Sequence, residues 1–232
     1  MDTWSEFQPY ILQLEQEGLA TRTYRRLDAQ RQEAVLHAIL DEAAERGPAA
    51  VNIQNVARRA GVSVGSLYQY FGDRERMLSF AVELCVRYMV GVFQMGAPYL
   101  AEMPLRDGLS AYLSYGIEWS RTQASLVRFF ARAASAGDPE LAERLVIPVS
   151  QAMRAMIAAL LQAAVQRGEA RPDLDLERAS RLVHALMIAA GDAQLLPYLN
   201  HYFQVIGSQD TPEAVTAAAV EFILRGIGSD EI

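Results

Sequence analysis

Apolar residues recur three and four positions apart along most of the chain, which is the spacing of helices that bury one face. Phe7, Ile11 and Leu14, with Trp4 able to join them, predict an amphipathic helix within residues 1–19 that ends at Gly18. Val35, Ala38, Ile39, Glu42 and Ala43 predict a helix over 29–46, stopped by Gly47-Pro48. Two short helices follow within 52–71. Asn52 caps the first, and Val56, Ala57 and Ala60 form its inner face. Gly61 suits a left-handed helix end, Val62 plugs the corner, Ser63 caps the second helix, and Leu67 and Phe71 turn inward. Asp73 caps a long helix carrying Met77, Leu78, Ala81, Leu84, Cys85, Tyr88, Met89 and Phe93. Breaks are expected at Gly96 to Pro98 and at Met103-Pro104, with helices over 105–121 and 123–136 beyond them. Asp138-Pro139 opens a helix reaching Gln166, with a kink or split expected at Pro148. A turn over 167–175 leads into a further helix, then an apolar connection over 194–209 that forms a short helix or lid, then a last helix from Pro212 to Gly226. The pattern is all-α.

The second short helix has an unusual outer side. Val64, Gly65, Tyr68 and Gln69 fall within about 140° of arc at ~100° per residue, and none is charged. A purely solvated face normally carries charges. A face that enters the DNA major groove needs small residues for close approach and hydrogen-bonding groups for phosphates and base edges. Cap, helix, Ala-Gly-Val-Ser and helix is the arrangement of a DNA-reading helix-turn-helix. The plainer alternative is a packed helix pair with no nucleic-acid role.

Composition sharpens this. A formal net charge of −7 argues against basic surface everywhere, yet residues 20–76 carry nine arginines and seven acids (+2), against twelve and seventeen (−5) from Met77 onward. The positive footprint therefore sits with the helix-turn-helix, as local DNA binding requires. Arg22, Arg25 and Arg26 lie in a polar link over 20–28 and either follow a phosphate backbone, enter a minor groove or are simply solvated. No uninterrupted apolar run reaches the ~18 residues of a membrane span, the first residues are acidic and aromatic, and the single Cys85 has no intramolecular partner. A cytoplasmic protein with no membrane role is expected.

Residues 31–78 resemble the N-terminal domain of the tetracycline-repressor-like (TetR/AcrR) transcriptional regulators. The resemblance rests on VLHAILDEAAERG (35–47), VNIQNVARRAGVSVGSLYQYF (51–71) and DRERML (73–78), with AGVSVGSLYQYF the most specific run. Asn52 replaces the commoner Ser or Thr, and Arg74 the usual Lys; capping and phosphate binding survive both changes. The resemblance implies that Gln54, Val64 and Gly65 face base edges and that Asn52, Ser63, Ser66, Tyr68, Tyr70 and Arg74 hold phosphates. Gln69 is added from its place on the outer side; Tyr70 lies near the core side by helical arithmetic. RGEARPDLD (167–175) also resembles the family's lead into its penultimate helix. From this follow a homodimer through the last two helices, a palindromic double-stranded operator and a small-molecule effector, most simply with repression relieved by the ligand. The implied division is an N-terminal extension (1–28), a helix-turn-helix domain (29–76) and a ligand-binding and dimerisation domain (77–232).

No alternative chemistry stands out. His37, His184 and His201 lack metal spacing, and GxGxxG, Walker and Gly-x-Ser-x-Gly signatures are absent, so neither metal, cofactor nor catalytic residues are expected. Tyr88, Met89, Phe93, Tyr112, Trp119, Phe129, Met153, Met156 and Met187 are candidates to line a pocket for an apolar or aromatic effector. Rival readings are a regulator with a filled core and no effector, or a helical enzyme.

Overall fold

The computed structural model describes residues 3–229 and divides into two packed units. The first comprises residues up to Gly91 and Ala124–Val149; the second comprises Val92–Gln123 and Ser150 onward. No strand occurs among the described residues, only an isolated bridge between Ala170 and Gly228.

The first unit opens with a 3-10 turn, Thr3–Phe7, and helix α1, Gln8–Gln16. Trp4, Phe7, Ile11 and Leu14 are all buried, as their spacing predicts. The polar link is not simply solvated. It contains a one-turn helix, α2 (Arg22–Arg25), whose Tyr24 is wholly buried among Tyr70, Phe71 and Phe80. Helix α3 (Ala29–Arg46) follows, capped by Asp28. Buried Gln32 on α3 ties these pieces together. Its Oε1 accepts from Trp4 Nε1 (2.8 Å) and Gln8 Nε2 (2.7 Å), and its Nε2 donates to the carbonyls of Tyr24 and Arg25 (3.2 and 3.1 Å).

Helices α4 (Ile53–Ala60) and α5 (Val64–Phe71) complete the three-helix core. Helix α6 (Arg74–Glu102) buries Met77, Phe80, Ala81 and Leu84, with Phe80 packed on Tyr24 and Phe71. The expected break at Gly96 to Pro98 does not occur. Pro98 and Gln94, whose carbonyl Pro98 leaves unbonded, are both exposed, so water can satisfy that group. Helices α8 (Ala124–Ala136) and α9 (Pro139–Leu141) also belong to this unit, α9 being capped by Asp138.

Helix α7 (Leu105–Thr122) belongs to the second unit, while α10 (Ile147–Gln166) begins in the first and continues in the second. The interruption expected at Pro148 is a π turn, Ala142–Val146, just ahead of it, in which the Ile147 N–H donates back to Ala142. The wider turn absorbs the donor that proline lacks. The second unit also holds α11 (Leu176–Leu195), α12 (Pro197–Phe203) and α13 (Pro212–Ile227). Its core runs from Leu105, Leu109 and Leu113 to Ile157, Leu160, Met187 and Ile223. Gly108 is needed there, because a Cβ would lie 2.7 Å from Leu160 Cδ1 and 3.3 Å from the Leu100 carbonyl. The RGEARPDLD turn is a tie as well. Arg167 donates to the carbonyls of Ala101 (2.7 Å) and Met103 (2.6 Å), and Glu169 accepts the Leu105 N–H at the uncapped start of α7.

By length and mean hydropathy, Arg74–Glu102 and Pro139–Gln166 could each cross a bilayer. Both are interrupted by charge. Arg87 on the first is paired with Glu17 and Glu83 within the folded unit.

Candidate nucleic-acid interface

Local chemistry builds the α4–α5 pair. Asn52 Oδ1 accepts from the Gln54 and Asn55 N–H groups (2.8 and 3.4 Å), capping α4. Gly61 ends it at φ +67, and Val62 N–H returns to the Ala57 carbonyl at 3.0 Å. Ser63 Oγ accepts from Ser66 N–H (3.0 Å) and shares a bond with Ser66 Oγ (2.8 Å). Those two hydroxyls use one hydrogen between them, so one O–H remains for an anion, as does the Asn52 amide NH2.

The outer side lies where the pattern puts it. Asn52, Gln54, Ser63, Gly65, Tyr68 and Gln69 are exposed, Val64 and Ser66 half-buried, and Tyr68 keeps 48% of its surface. Residues 53–71 contain no acid. Of their two arginines, Arg59 is paired with Glu45 and Glu42, whereas Arg58 is exposed and donates to Asn55 Oδ1 (2.8 Å), with no carboxylate partner among the described residues.

Two expected phosphate ligands are placed otherwise. Tyr70 is 7% exposed, its ring 6.0 Å from Tyr24 and edge-on to Phe71, so it belongs to the inner side. Arg74 reaches back into the chain instead of outward. Its Nε donates to Val51 O (2.9 Å) and its Nη2 to Pro48 O (2.9 Å) and Ala49 O (2.7 Å), so the guanidinium clamps the segment leading into α4.

Other orienting residues were not assigned from the sequence. Glu42, fully buried on α3, accepts from Asn55 Nδ2 (2.9 Å) and the Asn52 N–H (3.4 Å) and is ion-paired with Arg46 and Arg59. It therefore sets the position of α4. Its signal was present, since it is an acid on an apolar stripe. Thr21 was missed as well. Its N–H donates to Tyr70 O and its Oγ1 to Gln69 O, both at 2.8 Å, which docks the N-terminal extension onto the end of α5.

The candidate effector residues are divided between the two units. Tyr88 stacks on Phe7 at 3.9 Å, donates to Glu6 Oε2 (3.2 Å) and is covered by the N-terminal extension; Met89 and Phe129 are buried in the same unit. Those three are core. Phe93, Tyr112, Trp119, Met153, Met156 and Met187 lie in the second unit, where Phe93 and Trp119 meet edge-on at 6.2 Å and Met187 is buried. Polar atoms of that unit are buried without a hydrogen-bond partner among the described residues: Tyr112 Oη, His184 Nδ1 and Gln194 Oε1. Burial and the nearby Arg154 cation hold the His184 imidazole below its ordinary value, and burial raises Tyr112 and Asp192. Separately, α11 and α13 flank a surface groove of about 430 Å³, with Leu182 and Phe222 each 73% exposed beside it. No group of metal-ligating side chains occurs among the described residues.

Residues 35–79 match the family described as bacterial regulatory proteins, tetR family, and residues 104–191 match the tetracyclin repressor-like C-terminal domain. Solved structures share the fold. A TetR family transcriptional regulator from Chloroflexus aurantiacus J-10-FL is 20% identical, with 90% of this chain and 99% of that one covered and a TM-score of 0.62. The regulator FadR from Bacillus subtilis, in complex with stearoyl-CoA, is 18% identical over 84% and 98%, TM-score 0.60. The SmeT–triclosan complex is 20% identical over 88% and 94%, TM-score 0.64. No curated protein matches the sequence.

Proposed function

From the chain's membership of the tetR family of transcriptional regulators, we propose that it acts as a homodimer whose two α5 helices enter successive major grooves of a palindromic operator and whose second unit takes an apolar or aromatic effector that releases the DNA. It is a DNA-binding regulator and not an enzyme. Repression and a cytoplasmic location complete the reading. The observation that carries it is the exposed, acid-free outer side of α5, with Tyr68 and Gln69 standing out beside the close-approach Gly65. Two-fold operators require two such helices about 34–36 Å apart. The exposed Leu182 and Phe222 on α11 and α13 are the apolar surface that pairing of the last two helices would cover.

The effector reading is supported by the unpartnered Tyr112, His184 and Gln194 atoms, because buried polar groups normally find a partner. Stearoyl-CoA and triclosan, each bound by a similar structure, are the first probes. Selection from a random duplex pool, with sedimentation of the complex, tests the DNA half: an inverted repeat bound by two subunits supports it, and no enrichment at low salt refutes it. Effector titration with and without the selected duplex tests the other half. Reciprocity requires equal coupling in both directions, typically ~1–3 kcal/mol.

A further inference from the structure

The N-terminal extension is held against the reading helix by bonds that leave two of its arginines unspent. Thr21 is fixed to the carbonyls of Gln69 and Tyr70 at the end of α5, both at 2.8 Å. One residue on, α2 begins. Its Tyr24 is 0% exposed, packs on Tyr70 and Phe71, and donates from Oη to the Gln32 carbonyl (3.1 Å). Gln32 in turn holds the carbonyls of Tyr24 and Arg25. The one-turn helix is therefore anchored on both sides.

The three arginines of this segment, Arg22 and Arg25 in α2 and Arg26 at its C-cap, differ. Arg25 is paired with Glu15 and half-buried. Arg22 and Arg26 are exposed, and neither has a carboxylate partner among the described residues. They flank Tyr24 by two positions on either side, about 200° away from the buried ring at ~100° per residue, so both point outward. Spaced four apart, they share one face of the turn. No acid occurs between Glu17 and Asp28, and Asp28 is engaged in capping α3 and in a contact with Arg31. Two outward cations at a fixed distance from the DNA-facing helix, with no acid of their own, fit a polyanion that continues past that helix. DNA phosphates contribute the bulk of such affinity and carry no sequence information.

We infer that Arg22 and Arg26 form a second phosphate-binding edge, beside the end of α5, through which the N-terminal extension grips the DNA backbone flanking the base-read half-site. This rests on the DNA-binding reading above and adds the extension to the footprint.

The test uses the full chain and a duplex selected from a random pool, with affinity measured by fluorescence anisotropy from 50 to 300 mM salt. For B-DNA each neutralised phosphate contributes about 0.9 to the slope of log K against log salt. In the Arg22→Gln/Arg26→Gln double variant the slope should fall by about 1.8, and affinity at 0.1 M salt by ~10- to 100-fold, alike for every sequence bound. Arg22→Lys/Arg26→Lys should restore most of the slope, since a point charge suffices for a phosphate. Arg25→Gln should leave the slope unchanged, because that cation is already held by Glu15. A double variant with the wild-type slope and affinity overturns the inference while leaving the DNA-binding reading intact. So does a loss confined to particular flanking sequences with no change in slope, which would indicate minor-groove reading. If the wild-type chain enriches no duplex, the DNA-binding reading itself fails and the inference with it. Both arginines are exposed, so an unchanged melting temperature in the double variant confirms that any loss arises at the interface.

Discussion

Arg74 separates two ideas of what a basic residue beside a reading helix does. Its guanidinium makes three hydrogen bonds to the carbonyls of Pro48, Ala49 and Val51, at 2.7–2.9 Å. Hydrogen bonds involving a charged partner contribute ~1.5–3 kcal/mol each when buried. Here the site is half-buried and water can replace part of what is lost, so Arg74→Ala should cost about 2–3 kcal/mol in total. For a chain of this size that corresponds to a fall of ~4–12 °C in Tm. Arg74→Lys is the informative partner. An ammonium keeps the charge but not the fork that reaches three carbonyls at once. A clamp therefore predicts that Lys is destabilising nearly as much as Ala. DNA affinity should drop through a loosened α4, with little change in the salt dependence. Thermal unfolding by circular dichroism, followed by salt titrations of duplex binding, checks both. A normal Tm in Arg74→Ala, with a salt slope reduced by ~0.9 and recovered in Arg74→Lys, would refute the clamp and restore a phosphate contact.

Gly61→Ala should lower stability by ~1–2 kcal/mol through conformation alone, since Gly61 sits at φ +67 and a Cβ there would meet nothing within 4 Å; calorimetry of the variant reads this directly. Phe222→Asp, on the exposed face of α13, should shift sedimentation toward monomer at micromolar concentration without altering the helical circular-dichroism signal of the subunit. His184 is held below its ordinary pKa of 6.5 first by burial and then by Arg154, so the folded state binds fewer protons than the unfolded chain. Stability from this source is present above pH ~6.5 and is lost as pH falls toward the depressed folded value, a trend that His184→Gln should remove from urea midpoints measured between pH 7 and 5.

The helix-turn-helix was legible because its signals are local. Asn52, Gly61 and Ser63 cap and terminate by chemistry within a few residues, and the structure uses each as read. Helix α2 was not, because a four-residue helix has no period. It is held by distant partners, Gln32 on α3 and the aromatic rings of α5 and α6. Pro98 misled for the opposite reason: proline is a strong local breaker, but an exposed site leaves its cost small enough for α6 to continue. Arg74 was read by its charge, while its acceptors lie 23–26 residues earlier in the chain. Periodicity marked Tyr88 as buried but did not say by what; Phe7, far earlier in the chain in the N-terminal extension, covers it. Glu42 and Gln32 each interrupt an apolar stripe, and in both cases the polar residue in the stripe is the one that orients its neighbours.

The claim that the α4–α5 pair reads DNA, with α5 in the groove, meets its most direct test in a duplex titration of Gln54→Ala on α4 and Tyr68→Ala on α5 beside the wild-type chain. Binding of the wild type to an inverted repeat is expected, with Tyr68→Ala weakened at every sequence and Gln54→Ala altered in its preference among them. Wild-type affinity and preference in both variants would contradict it.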